Sequence, residues 1–299
     1  MTYTLGQVTH KVASALQILS EGKATGGSAT TIIDTSLRTE ADDYWNGGSA
    51  WIWYDAGALA ADPEYSYSVV SDFDNGTNTV TLRDTLPAAV AAGDKYSICR
   101  RIGKDTWIDV IVQKVNDALR DIGPIPQVDV TSITVAQNQK EYSLPITAGM
   151  RMKRVFNATT VDANDNDWVE IYNWDVEHAT PGNQPVLILP QQEVTGYGIK
   201  LEYLDYHTEM QVSTDVLSDM VPLDLVVFPA ALGCMYWRKE LFDGTDKWDA
   251  VIGRMEGKVA ELKAALSVEK PRKPGRMMRI GWTEQARPGR SYPGDRNPR

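Results

Sequence analysis

Residues 222–244 read PLDLVVFPAALGCMYWRKELFDG, and residues 248–267 read WDAVIGRMEGKVAELKAALS. In the second string Trp248, Val251, Ile252, Met255, Val259, Leu262 and Leu266 fall on one stripe of an α-helix. The first string supplies Leu223, Val226, Val227, Ala230, Ala231, Cys234, Trp237 and Leu241, then stops at Asp243-Gly244, where glycine accepts the left-handed conformation that ends a helix. A short link between two such helices turns the second back antiparallel to the first. Pro229 predicts a kink or a late start in the first helix, because proline lacks the amide proton that an interior position donates.

Working outward, residues 4–20 read as a third helix. Thr4 followed by Gln7 has capping-box spacing, Leu5, Val8, Val12, Leu16 and Leu19 form the stripe, and Gly22 is the expected stop. A fourth helix is expected over 105–122, with Asp105 or Thr106 as cap. Its stripe is Ile108, Ile111, Val112, Val115, Leu119 and Ile122, and Gly123-Pro124 ends it. Between the helices the texture changes to short apolar or alternating runs broken by Gly, Asn and Asp. Strands are expected near 30–34, 50–54, 65–70, 79–83 and 95–99, and again near 128–135, 141–144, 152–156, 168–172, 186–189 and 199–203. Asp74-Asn75-Gly76 predicts a hairpin, since Asn and Gly tolerate positive φ. Trp51 and Trp53 alternate with Ile52 and Tyr54, so that strand carries large side chains on both faces. Packing is the favoured reading, with a carbohydrate platform as the alternative.

Four helices with one apolar stripe each can bury one another. The expected fold is therefore α+β: a four-helix bundle built from residues 1–23, 101–126 and 216–267, with two small antiparallel β modules (sandwich or barrel) inserted at 24–100 and 127–215. The alternative is that the helices cap each β module separately. Residues 268–299 hold five prolines, four glycines and no hydrophobic period, so they are expected to form an extended arm. An apolar island, Met277-Met278-Arg279-Ile280-Gly281-Trp282, inside that basic stretch points to docking on a neighbour.

Charge divides the chain in the same place. The net charge of the 299 residues is −10, but 268–299 carries nine Lys or Arg against Glu269, Glu284 and Asp295. That segment is at +6, which leaves residues 1–267 at −16. An acidic body is a poor surface for non-specific DNA binding, whereas the basic end can grip an acidic partner. No apolar run is long enough to span a membrane. The opening Met-Thr-Tyr-Thr-Leu lacks a basic-then-apolar pattern, so the expectation is a protein made and used inside a cell, or inside a particle assembled there. Cys99 and Cys234 stand alone and are expected to be small core residues.

Catalytic signatures are missing from the residue pattern. His10, His178 and His207 have no partner at helical spacing, which argues against a zinc site or a His-based triad. No phosphate-cradling glycine loop is present. Asp162, Asn164 and Asn166 imitate the start of a calcium loop, but Asp167 stands where glycine is needed and Asn173 where glutamate is needed. Carboxylate pairs such as Asp42-Asp43 arise by chance among 40 acidic residues, and Asn75-Gly-Thr and Asn157-Ala-Thr read as turns. The expectation is a non-enzyme without cofactor or metal.

Several runs resemble tailed-bacteriophage virion proteins. Thr30-Thr-Ile-Ile-Asp-Thr-Ser-Leu37, Asp42-Asp-Tyr-Trp-Asn-Gly-Gly48, Ser71-Asp-Phe-Asp-Asn-Gly-Thr77, Thr79-Val-Thr-Leu82 and Leu86-Pro with Ala92-Gly-Asp-Lys-Tyr96 are similar to a β module recurrent in them. Glu141-Tyr-Ser-Leu-Pro145, Met152-Lys-Arg-Val155 and Leu201-Glu-Tyr203 resemble a second phage pattern. Pro222-Leu-Asp-Leu-Val226, Ala230-Ala231 and Tyr236-Trp-Arg238 are similar to the helical end of head-to-tail connector adaptors, the ring proteins below the portal. The chain departs from the plainest adaptors, which are almost all helix, in carrying two β regions.

The resemblance implies a homo-oligomeric ring in the neck of a virion, of about twelve copies to match the portal. It implies tail or neck proteins as further partners, and dsDNA passing through the channel without specific binding. The arm residues Arg272, Lys273, Arg276, Arg279, Ile280, Trp282, Arg287, Arg290 and Tyr292 would meet the phage portal protein. Three rival readings remain: a tail fibre, receptor-binding or decoration protein using the β regions on glycans, a nucleic-acid binder acting through the basic end, and a hydrolase.

Overall fold

In the computed structural model of the protein, the described residues are 2–36, 38–57, 63–144, 151–160, 167–177, 184–190, 193, 195–241 and 249–269. Contacts divide the chain into two compact units, Met1–Val259 and Ala260–Arg299. The helices are α1 (Leu5–Ala15), α2 (Trp107–Ile122), α3 (Asp224–Leu241) and α4 (Asp249–Glu269).

Their ends obey local chemistry. The Thr4 N–H donates to Gln7 Oε1 at 3.0 Å and the Gln7 N–H donates to Thr4 Oγ1 at 3.3 Å, closing the capping box. α1 stops earlier than its stripe suggested, because Gln17 turns left-handed at φ 55° and the chain then enters a strand. Thr106 caps α2, and Gly123 at φ 79° ends it. Pro229 sits inside α3.

A seven-stranded antiparallel sheet follows α1. Its strands are β2 (Ser20–Lys23), β3 (Gly26–Ser28), β4 (Thr31–Ile33), β5 (Ser49–Tyr54), β6 (Tyr67–Asp74), β7 (Thr79–Leu82) and β8 (Lys95–Cys99), in the order β2-β8-β5-β6-β7-β4-β3. The edge strands β2 and β3 are joined by Ala24 and Thr25 alone. Three Cα–Cα steps span at most about 11 Å. The two edges must therefore lie close together, and the sheet rolls into a barrel around Ile32, Ala50, Ile52, Phe73, Val80 and Ile98. Gly22 pairs with Tyr96, whose ring covers it: an added Cβ would stand 2.5 Å from that ring. In the hairpin between β6 and β7 the positive φ falls on Asn78 rather than on Asn75 or Gly76, and Asp74 Oδ1 accepts the Gly76 amide at 2.7 Å.

Beyond α2, β9 (Ile125–Thr134), β11 (Arg151–Ala158), β12 (Trp168–Ile171) and β15 (Gly198–Asp205) form a four-stranded sheet in the order β12-β11-β15-β9. β10 (Glu141–Ser143), β13 (Asp175–Glu177) and β14 (Val186–Ile188) form a three-stranded sheet. Both contribute to one core, with Ile133, Val155, Ile199 and Leu201 from the first and Tyr142 and Leu187 from the second, so this region is a small sandwich. β1 (Tyr3–Thr4) pairs with β16 (Val216–Leu217) and ties the start of α1 to the approach to α3.

The expected four-helix bundle with two small β insertions is overturned. Among the described residues the chain is rich in strands, sixteen of them in four sheets, against four helices. α1, α2 and α3 do pack on one another. Their core, however, also takes in Trp51 of β5, Cys99 of β8, Ile102, Met210 and Leu217. The barrel is thus a layer laid against the helices rather than an outgrowth from their ends. The physical reason lies in β5, where Ser49, Ala50, Trp51 and Ile52 are all buried. Ala50 and Ile52 fill the barrel while Trp51 enters the helical core. A strand apolar on both faces competes for the same stripes that helices would otherwise bury against each other. Ile252 of α4 reaches that core, and Val251 and Met255 pack on it half-buried.

Candidate functional site

The arm residues Arg272, Lys273, Arg276, Arg279, Ile280, Trp282, Arg287, Arg290 and Tyr292 lie outside the described residues, as do His178 and the calcium-loop imitation at Asp162, Asn164 and Asn166. The other residues singled out by chemistry have structural roles. His10 lies against Trp53, its Nε2 3.2 Å from Ser97 Oγ, and burial, helped by the charge of Lys11, lowers its pKa to about 4. His207 Nε2 accepts the Ser218 amide at 3.0 Å. Cys99 and Cys234 are buried, and burial pushes both thiols up to about 12, so they remain protonated core residues. Asn157 lies within β11 rather than in a turn, and its Nδ2 donates to Glu193 Oε2. Among the described residues no group of three or more metal-ligating side chains is placed to hold an ion.

Trp51 is fully buried and its indole N–H donates to Thr9 Oγ1 at 3.2 Å, which excludes it from a carbohydrate platform. Trp53 is half-buried, with Lys95 Nζ 5.1 Å from its ring centroid.

A cleft of about 570 Å3 opens where the barrel meets the helices. Its walls come from the exit of α1 (Leu16, Gln17, Ile18), the loop carrying Tyr44 and Trp45, the end of β8 and the last turns of α3. Immediately after Cys99 the chain places Arg100 and Arg101, then closes a tight turn in which Ile102 bridges to Asp105 with Gly103 at φ 60°. Arg238 of α3 adds a third guanidinium. Partial burial holds the Arg238 group below its ordinary pKa, the expected response of a cation losing water.

Aromatic rings set the positions of these cations. The Arg100 guanidinium stands 4.4 Å from the centroid of Tyr44, and Tyr44 meets Trp45 edge-on at 4.8 Å. Behind Trp45, on the buried side, Arg38 lies 5.2 Å from both the Trp45 and the Tyr96 ring centroids. Arg38 is itself nearly sealed, donating to Tyr96 Oη at 2.6 Å, to Ser20 Oγ at 3.0 Å and to Glu40 at 3.3 Å. Among the described residues neither Arg100 nor Arg101 has a carboxylate within ion-pair distance. An arginine fork beside apolar walls is suited to carboxylate or phosphate oxygens.

Sequence reasoning located positive charge in the terminal segment and overlooked this cleft. The available signal was Arg100-Arg101-Ile-Gly-Lys104, a basic island inside an acidic body. Arg238 carried no such signal, because only the fold brings α3 to the end of β8. Comparison with protein-family models, with curated proteins and with solved structures returned no match.

Proposed function

We propose that this chain is a structural virion protein of the head-to-tail connector adaptor class. It assembles as a ring of about twelve copies on the portal and links the capsid to the tail. DNA passes through its channel at packaging and ejection without specific binding, and the chain performs no catalytic step. The observation that supports this reading most is the division of charge: residues 1–267 at −16, followed by a +6 segment rich in Pro, Gly and Arg. α4 leads directly into that segment, and α4 is tied back to α3 by Tyr236 bonding to Glu256 and Lys239 pairing with Asp249. An acidic channel wall repels phosphates, while basic arms repeated around a ring grip an acidic portal surface with the avidity of many linked contacts.

Removing the residues after Ser267 is expected to leave the barrel and sandwich folded and to abolish portal binding. A truncated ring that binds portal with unchanged affinity would refute the role of the arm. Images of assembled particles supply the second test: twelve-fold closure supports the adaptor, and threefold closure would support a fibre or receptor-binding protein instead.

A further inference from the structure

We infer that the cleft lined by Arg100, Arg101 and Arg238 receives an acidic knuckle, formed by Asp42, Asp43, Asp72 and Asp74, from a second copy of this chain. All four carboxylates are exposed. The loop that carries the first two is fastened to the β6–β7 hairpin that carries the others. The Asp43 amide donates to the Phe73 carbonyl at 3.0 Å and the Asn75 amide donates to Asp42 Oδ1 at 2.7 Å. Asn46 Nδ2 bridges Asp43 Oδ1 at 2.6 Å and Asp72 Oδ1 at 3.3 Å. The knuckle is therefore ordered before it meets anything, which lowers the entropy cost of docking.

Charge complementarity selects the occupant. With 40 acidic residues against 30 basic ones, an arginine in this chain would ordinarily find a carboxylate. Arg100 and Arg101 do not among the described residues, and neither do the four aspartates find a cation there. Both patches branch from one loop: Asp42 and Asp43 stand immediately before Tyr44 and Trp45, which line the cleft. Each copy thus offers one cationic recess and one anionic projection. Two different patches of the same chain that fit each other make a contact between copies, and repeated head to tail it forms a ring where its rotation closes. The inference rests on the ring reading for that closure and adds the contact between neighbouring subunits.

Charge reversal in trans tests it, with association of the full chain followed by sedimentation. Arg100→Glu/Arg101→Glu is expected to weaken self-association at least about tenfold, and Asp42→Lys/Asp43→Lys equally, because like charges then face each other. Mixing the two variants restores association, since every contact in an alternating assembly regains opposite charges. Wild-type association weakens in about 0.5 M salt, where the screening length is only a few ångströms. If the reversed arginine pair perturbs folding, judged by its melting curve, Arg100→Gln/Arg101→Gln replaces it, with a smaller loss of about threefold expected because the attraction is removed and no repulsion is added. Single variants that associate like wild type, or a mixture that stays dissociated, would overturn the assignment. Rings seen in particles alongside that result would leave the adaptor reading standing, whereas a wild-type chain that never self-associates overturns the contact and leaves portal binding to judge the adaptor.

Discussion

The indole N–H of Trp51 donates to the hydroxyl of Thr9 across 3.2 Å, with both residues sealed from solvent. The same hydroxyl donates to the Gly6 carbonyl at 3.0 Å, so one threonine serves its own helix as a donor and the barrel as an acceptor. Close by, Ser49 Oγ accepts the Ile108 amide at 3.2 Å, which fastens β5 to the first turn of α2. The barrel is thus joined to the helical layer by directional bonds as well as by apolar burial.

Thr9→Val keeps the shape of the side chain but leaves the Trp51 N–H buried without an acceptor, which is expected to cost about 1–3 kcal/mol. Trp51→Phe removes the donor, so in the Thr9→Val/Trp51→Phe double variant part of the loss is recovered. Urea unfolding of the four proteins should give a coupling of about 1 kcal/mol. Additive losses would show that the hydrogen bond contributes nothing.

Glycine at position 6 is required by contact. Alanine ordinarily favours a helix interior by about 1 kcal/mol. Here its Cβ would stand 1.6 Å from the Tyr65 carbonyl oxygen, so Gly6→Ala is expected to destabilise the protein by about 1–3 kcal/mol or more as the backbone is forced apart. Gly253 in α4 has nothing within 4 Å of that position, and Gly253→Ala is expected to stabilise by about 0.5–1 kcal/mol. Opposite shifts in melting temperature check the pair.

His10 makes stability depend on pH in one direction. The unfolded chain binds a proton near pH 6.5, while the folded chain resists it until about pH 4. Between those values the unfolded state holds more protons, so stability falls as pH drops from about 6.5 to 4 and is flat above 7. The loss should be about 2 kcal/mol, allowing for water reaching part of the ring. Comparing wild type with His10→Gln at pH 7 and pH 4.5 isolates it. An equal acid loss in both proteins would remove His10 as the cause.

Arg38→Lys preserves charge and removes the planar fork. One ammonium cannot serve Tyr96, Ser20 and Glu40 at the arginine's geometry, so a loss of about 2–3 kcal/mol is expected. A denaturation midpoint unchanged from wild type would contradict this.

The signals that proved readable are short-range ones. Thr4 with Gln7, Thr106, and Gly123 before Pro124 marked helix ends correctly, because a cap satisfies amides within a few residues. Most of the longer strands lay where alternation placed them. β1, β2, β3, β13 and β16 were missed: Ser20–Lys23 and Gly26–Ser28 carry almost no apolar alternation and exist because β8 and β4 present partners to them, and the two-residue β1 and β16 exist as each other's partner. Gly22 looked like the end of a helix and turned out to lie under the Tyr96 ring.

What residues 1–299 determined unaided was therefore where α1 and α2 start, where α2 stops and where most of the longer strands run, together with an acidic body and a basic end. Partner choice was left to the tertiary structure. Apolar burial is non-directional, so a helical stripe is satisfied equally by another helix or by a sheet. Only the folded chain sets Trp51 among the helices and gathers Arg100, Arg101 and Arg238 around one cleft, because those residues meet across distances along the chain that no local spacing encodes.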